Sequence, residues 1–326
     1  MNLPKLGMGC APLGDLFITI SERESLDTIH AAYAAGIRLY DTAPWYGTGK
    51  SEVRLGAGLR DKPDAKILTK VGRVLRRGPD LKAAATWKGG LPFEVHFDYT
   101  RAGVMRSFED SLQRLSVPKV EALAIHDLDL LYHHTPEAMQ ARFAELERDG
   151  FAALEELKRN GDTQYIGAGI NRTGLIPEFL NRFSMDYFIV AMPYTLLNQD
   201  GLEELNECQR RGVRVIIGAP FASGLLASGA KKPATYDYAP AQQAVLDKAA
   251  ALESICTEHN VPLPAAALQF VLAHPAVVSV IPGFLNASQA IQATQFLAQP
   301  IPPAFWTSLR EAGLVAPGAP LPNLAP

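Results

Sequence analysis

Asp41 ends an apolar run and Tyr46 follows it five residues later in the stretch YDTAPWYG, with Lys70 in ILTKV, His126 in ALAIHD and Asn171 after YIGAGI further on. Side chains of these types can exchange a proton with a carbonyl or an alcohol. A phenol titrates near pH ~10, so Tyr46 does this at neutral pH only if a nearby cation stabilises its phenolate. Lys70 can be that cation. Asp41 can keep a partly buried ammonium charged, and His126 can donate to a substrate oxygen or orient the tyrosine. Taken singly, each has an ordinary structural use: Asp41 as a helix cap, Tyr46 as a packing aromatic, Lys70 as a snorkelling lysine, His126 as a satisfied core histidine. Only the combination points to an acid–base centre.

Competing motifs fail on position. WYGTGKSE, Trp45 to Glu52, ends like a phosphate-cradling loop, but the glycine required five positions before Gly49 is Pro44. A dinucleotide-binding G-x-G-x-x-G should follow the first strand, whereas the nearest approach, Gly167 to Arg172, ends in arginine and follows the fifth. His126, Asp127, Asp129, His133 and His134 crowd one stretch without a usual ligand spacing, so no metal is expected. Cys10, Cys208 and Cys256 are odd in number and far apart, which indicates neither disulfides nor zinc. The two glycosylation sequons, at Asn171 and Asn286, need a secretory context and are discounted.

Eight short apolar runs must position these residues. They are KLGMGC, IRLYDT, KILTKV, EALAIHD, YIGAGI, DYFIVAM, RVIIGAP and VVSVIPG, and segments of helical periodicity separate them, as expected of parallel strands with crossover helices. The fold class is therefore α/β, a single (β/α)8 TIM barrel spanning 1–326. In such a barrel the reacting groups come from the C-terminal ends of the strands. Asp41, Lys70, His126 and Asn171 lie at the ends of the second to fifth, with Tyr46 on the loop past Asp41. Ser21 with Glu24 predicts a capped helix that stops at Gly36, and Val104, Phe108, Leu112 and Leu115 form the inner face of another. Residues 76–100 and the C-terminal APGAPLPNLAP read as a loop and a tail.

The 326 residues are 48% hydrophobic and 20% charged, with a formal net charge of −3. That balance argues against nucleic-acid and membrane-surface partners and for a small-molecule substrate. With no signal peptide and no spanning apolar run, a cytoplasmic protein is expected. Oligomeric state has no code in the sequence.

The stretches YDTAPWYGTGKSEVRLGAGL, ILTKVG, SFEDSLQRLSVPKVEALAIHD and GAPFASGLLASG resemble the aldo-keto reductase family, and the likeness covers nearly the whole chain. The resemblance implies that Asp41, Tyr46, Lys70 and His126 form the catalytic tetrad. It also implies that NAD or NADP lies across the barrel mouth, with no Rossmann domain and no metal. By it, Asn171 holds the carboxamide, Pro220, Phe221, Ser223, Gly224 and Leu225 form the cofactor loop, Gly283 lies on the last cofactor segment, and Asn286 and Gln289 lie near the adenosine. Departures are visible as well. Ile170 stands before Asn171 where many members have serine, Ala191 replaces a glutamine, and Gly218-Ala219 replaces the Tyr-Ser that usually stacks on the nicotinamide.

Those departures, with GCAPLGDLF and YTLLNQDGL, resemble the branch that oxidises aldoses at C1 and pyridoxal at its hemiacetal carbon. Ile281 to Ala293 contains no lysine or arginine to pair with a 2′-phosphate, so NAD is expected ahead of NADP. The function expected is NAD-dependent oxidation of an aldose (D-threo-aldose or L-fucose type) to its lactone. Pyridoxal oxidation to 4-pyridoxolactone is the alternative, and a general carbonyl reductase or a non-turnover cofactor-binding regulatory subunit stands behind both. Leu16, Phe17, Trp45, Trp87 and Tyr132 are candidate pocket walls, each equally suited to ordinary loop packing.

Overall fold

The computed structural model of the chain describes residues 1–78, 86–229, 235–237 and 239–322. Eight parallel strands form one sheet in sequence order. They are β1 (Met8–Gly9), β2 (Leu39–Asp41), β3 (Lys66–Val71), β4 (Ala122–Ile125), β5 (Tyr165–Ile170), β6 (Tyr187–Val190), β7 (Arg214–Gly218) and β8 (Val277–Ile281). The sheet closes between its first and last members. The Gly7 amide donates to Val280 O at 2.9 Å and the Gly9 amide to Pro282 O at 2.8 Å. This seam needs small residues, because a Cβ on Gly9 would sit 2.7 Å from Ile281 O. The architecture is the (β/α)8 barrel that the alternating runs predict.

The strands are apolar on both faces because both are covered. Leu39, Leu68, Ala122, Ala124, Tyr187, Ile189, Ile216 and Ile281 pack together in one cluster with Leu3, while a much larger cluster joins the strands to the helices. Outside, Ser21 caps the helix Glu22–Ala34 in a reciprocal box. The Glu24 amide donates to Ser21 Oγ at 3.2 Å and the Ser21 amide to Glu24 Oε2 at 2.8 Å, and Gly36 leaves the helix with φ 93°. Helix Arg101–Leu115 buries Val104, Phe108 and Leu115 as its periodicity predicts, with Leu112 partly buried on the same cluster.

One expectation needs revision. The segment after β3 is not loop throughout, since Arg73–Arg76 pairs antiparallel with Glu94–Phe97. The mixture of charged and apolar residues in RVLR and EVHF hides the strand signal, because this hairpin lies over the barrel instead of inside it. Residues 79–85 of that segment and 323–326 of the tail lie outside the described residues. A second hairpin pairs Thr235–Tyr236 with Ala239–Pro240. Among the described residues no helix is long and apolar enough to cross a membrane.

All three cysteines are buried and free. Two of the histidines serve packing. His133 contacts the Tyr99 hydroxyl at 3.3 Å and packs its ring 4.6 Å from Phe97, while His274 accepts from the Ala276 amide at 3.2 Å. Burial pulls both down from 6.5 to about 4. Their folded values lie below the unfolded one, so the stability they contribute is present above pH 6.5 and lost as pH falls toward 4. Thermal melts should therefore show a falling midpoint over that interval with net proton uptake on unfolding. His274→Gln should flatten the slope, and a midpoint flat from pH 7 to 4 would contradict this assignment.

Candidate active site

Because all eight strands run the same way, their C-terminal ends deliver side chains to one mouth. Lys70, on β3, puts its ammonium 2.9 and 2.8 Å from the two carboxylate oxygens of Asp41 on β2, 2.8 Å from Thr42 O, and 3.2 Å from Tyr46 Oη. The Lys70 ammonium also lies 4.7 Å from the Tyr46 ring centre. His126, directly after β4, meets the Tyr46 ring edge-on at 5.8 Å. The four residues expected to form the acid–base centre thus converge.

The turn that presents Tyr46 is fixed from behind. Ser51 donates to Cys10 O at 2.7 Å and bonds Thr42 at 2.9 Å, and the fully buried Glu52 accepts from Thr69 and from Arg114, each at 2.6 Å. Lys50-Ser51-Glu52 therefore opens a helix, Lys50–Leu59, and anchors it. Gly47, at φ 64°, crosses Gly14 so closely that a Cβ would stand 2.6 Å from Gly14 O. Only glycine allows Tyr46 to be followed by that crossing.

Electrostatics at the mouth come from burial and pairing. Burial raises the Asp41 carboxyl, against the pull of Lys70. His126 is held well below the usual imidazole range by burial, with Asp127 opposing. The ring is therefore neutral at pH 7. The arrangement can polarise a phenol with a cation while a neutral imidazole stands beside it, which suits proton exchange with a hydroxyl or carbonyl.

Of the pocket-wall candidates, Trp87 is buried 5.7 Å from the Tyr46 ring and edge-on to Trp45 at 5.5 Å. Leu16 bridges to Trp87, Tyr132 approaches the mouth through Arg73 at 4.2 Å, and Phe17 is 52% exposed beside them. What holds these loops together is Asp15, which the sequence reading passed over. Its carboxylate accepts from Lys50 at 2.7 Å and Arg54 at 2.9 Å, its carbonyl accepts from the Lys88 amide at 3.0 Å, and Lys50 also donates to Gly89 O at 2.9 Å. Burial alone would raise the Asp15 carboxyl, but Lys50, the Ile20 amide and Arg54 hold it below its ordinary value.

Asn171 follows β5 as expected and donates to Asp127 at 2.8 Å and to Asp129 at 3.2 Å. Its amide hydrogens thus face carboxylates, and its carbonyl oxygen is the group suited to a carboxamide N–H. Phe221 turns the chain with φ −90° and ψ 9°, and Ala222, Ser223 and Gly224 follow with φ of 48°, 58° and 97°. Such a run turns neighbouring amides to a common side, a concavity suited to phosphate oxygens. Pro220 and Leu225 are buried beneath it, and Ser223 Oγ accepts from the Asp237 amide at 3.1 Å. Gly283 bridges Gly9 at the seam, and a Cβ there would meet Pro12 at 2.9 Å. Asn286 caps the helix Ala287–Ala298 by accepting from the Gln289 amide at 3.1 Å, and Gln289 accepts from the Leu285 amide at 2.8 Å. Both side chains have capping work that their spacing could have revealed. Asn171 and the left-handed loop fit a nicotinamide dinucleotide.

Two further residues at the mouth, Arg73 and Asp127, were not singled out for the reaction. The sole signal for Arg73 was a cation just past the lysine strand, and Asp127 was weighed only as a metal ligand. In the structure the two buried side chains pair with each other beside His126.

A closed parallel barrel with a tyrosine–lysine–aspartate–histidine cluster at its C-terminal mouth describes an oxidoreductase built for proton exchange beside a nicotinamide. Residues 5–313 match the model of the Aldo/keto reductase family, and the chain belongs to that family, whose members use nicotinamide cofactors and act on small molecules. It is 38% identical over 329 residues to pyridoxal 4-dehydrogenase from Microbacterium luteolum, covering 97% of this chain and 96% of that one. It is 35% identical to D-threo-aldose 1-dehydrogenase from a Pseudomonas species, covering 97% and 95%. Among solved structures, the holo form of an aldo-keto reductase from Bacillus halodurans superposes with a TM-score of 0.74 at 24% identity, covering 98% and 94%. The chain is thus an oxidoreductase of this family, similar to dehydrogenases that are named for pyridoxal and for an aldose.

Removing Asp15 leaves the buried Arg54 with Glu22 as its remaining carboxylate partner and the partly buried Lys50 without its nearest one. Asp15→Ala should cost about 3–5 kcal/mol in urea unfolding and open the loop around Trp87 to protease. A loss below about 1 kcal/mol, the size of a surface pair, would remove Asp15 from this role.

Proposed function

We propose that the chain oxidises the hemiacetal carbon of a cyclic substrate to a lactone, with NAD as its cofactor and Tyr46 as the base. The observation that carries this is the 3.2 Å approach of the Lys70 ammonium to Tyr46 Oη, within a cluster that also ties Lys70 to Asp41. A cation at that distance favours the phenolate, and Asp41 gives the cation a counter-charge inside the barrel. The phenolate takes the proton of the anomeric hydroxyl as the C–H bond breaks and the C=O bond forms. A bound nicotinamide supplies the acceptor for the hydride. Trp87 and the loop zipped by Asp15 shield the reacting carbon from water, and Asn171 orients the carboxamide through its carbonyl oxygen.

An aldose is the first substrate reading, in keeping with the resemblance to D-threo-aldose 1-dehydrogenase. Pyridoxal is the second, favoured by the two indoles at 5.5 Å beside Tyr46 and by the 38% identity to pyridoxal 4-dehydrogenase. Both substrates carry a cyclic hemiacetal, so the same bonds break. The preference for NAD is supported by the polar, uncharged Asn286 and Gln289 at the start of the last loop helix and by the absence of lysine and arginine from Ile281 to Ala293.

NADH formation by the purified protein with L-fucose, D-arabinose, L-galactose, D-glucose and pyridoxal tests the substrate. Turnover of sugars alone supports the first reading, turnover of pyridoxal alone the second, and turnover of none overturns both. Tyr46→Phe should lower turnover by about a hundredfold to ten-thousandfold while NAD affinity stays within about twofold, and a variant of near-normal rate would remove Tyr46 from the mechanism. Catalytic efficiency with NAD should exceed that with NADP by about tenfold or more, the worth of one missing charge-assisted hydrogen bond. Equal efficiencies would contradict the cofactor assignment.

A further inference from the structure

Arg73, just past β3, is 2% exposed, yet it lies on the hairpin strand Arg73–Arg76 at the edge of the mouth. Its guanidinium donates to Asp127 and sits 4.2 Å from the ring centre of Tyr132 and 4.7 Å from those of Trp45 and Phe97. Three aromatic faces around a desolvated guanidinium fix it in place and add attraction of their own. Burying an arginine and an aspartate together stabilises little by itself, and an apolar pair of similar size often does as well. The contacts that the pair makes beyond itself point to another use.

The use lies in what Asp127 touches. The same oxygen that meets Arg73 stands 3.2 Å from His126 Nε2, and the other accepts from Asn171 Nδ2 at 2.8 Å. Asp127 itself is held with φ 50°, a backbone state that costs a non-glycine residue and persists when its surroundings enforce it. One carboxylate therefore joins the imidazole beside Tyr46 to the amide proposed to face the nicotinamide. We propose that Arg73 and Asp127 are a positioning pair: Arg73 clamps the Asp127 carboxylate, which fixes the tautomer and plane of His126 and turns the carbonyl oxygen of Asn171 toward the cofactor.

The consequences are specific. A carboxylate can only accept, so the His126 nitrogen facing it carries the hydrogen, Nε2–H, and Nδ1, buried and without a partner, is left as an acceptor. Similarly, Asn171 spends its N–H groups on Asp127 and Asp129 and presents its oxygen. His126 thus turns Nε2 toward the Asp127 carboxylate at 3.2 Å and presents its ring beside Tyr46 as an orienting edge.

This inference rests on the proposed site, so its tests avoid turnover where they can. The nitrogen-15 spectrum of His126 in the wild-type protein, assigned by its loss in His126→Gln, should show one neutral Nε2–H tautomer from about pH 6 to 8, around the free imidazole value. An Nδ1–H tautomer overturns the proposal without any variant. In Asp127→Asn the tautomer should become mixed and the dissociation constant for NAD, read by quenching of tryptophan fluorescence, should rise by about tenfold to a hundredfold, the worth of one charge-assisted hydrogen bond. Arg73→Lys keeps the charge and should retain the tautomer. A folded Asp127→Asn protein with wild-type tautomer and wild-type NAD affinity overturns the pair. If these tautomer and affinity results appear while the wild-type protein oxidises no hemiacetal, the pair stands and the proposed reaction is overturned instead.

Discussion

The structure depends on keeping one ammonium charged inside a barrel. Moving a lysine from water into a packed interior costs several kcal/mol unless its hydrogen bonds and its charge are both met. Lys70 has three donors, and Asp41, Thr42 O and Tyr46 Oη occupy them. Two of those partners come from the strand beside it and the residue next in chain, so the parallel pairing of β2 with β3 is the condition for the cluster. Leu68 lies opposite Asp41, and Lys70 reaches past it by two residues. A slip of one residue would turn Lys70 to the other face of the sheet. The seam at Gly9 and the crossing of Gly14 over Gly47 serve the same register from further away, since each sets the height of a mouth loop above the strands.

The loops above this floor are organised by a second buried charge. The Asp15 carboxylate gathers Lys50 and Arg54, its backbone carbonyl accepts from the Lys88 amide and Lys50 donates to Gly89 O, so the loop carrying Trp87 is zipped to the first loop. The floor is therefore a property of the sheet, whereas the walls are a property of side-chain chemistry between segments distant in sequence. The walls can thus vary without disturbing the floor, as expected where loops choose the substrate and strands carry the reaction.

That division explains what could be read from the sequence. The strands were legible because burial on both faces writes them as continuous apolar runs, and Asp41, Lys70, His126 and Asn171 stood out as polar residues ending such runs. The capped helices were legible from local spacing, as at Ser21 and Glu24. Asp15, Arg73 and Asp127 were not, because their partners are 35 to 54 residues away and no local pattern marks a long-range pair. The antiparallel pairing of Arg73–Arg76 with Glu94–Phe97 is hidden in the sequence for a related reason. Its strands cover the barrel with one face in solvent, so charged residues interrupt the pattern that betrays a core strand. Asn286 and Gln289 were read for a ligand when their spacing also spelled a cap.

Charge at the mouth bears on what the pocket admits. Lys70 is offset by Asp41 and Arg73 by Asp127, and burial raises the Asp129 carboxyl, with Asp127 adding to the rise. His126 is neutral for want of solvation. The two cation–carboxylate pairs beside Tyr46 therefore hold strong local fields while their charges offset each other at a distance. Among the described residues, Lys70 and Arg73 each have a carboxylate partner already, so neither is free to pair with a charged substrate. The site suits a molecule without net charge, bound through hydroxyls and a ring face, whose charge appears only as its proton and hydride leave. The cyclic hemiacetal proposed as substrate is such a molecule, and in that proposal the cation beside Tyr46 acts on the one oxygen where the reaction needs it.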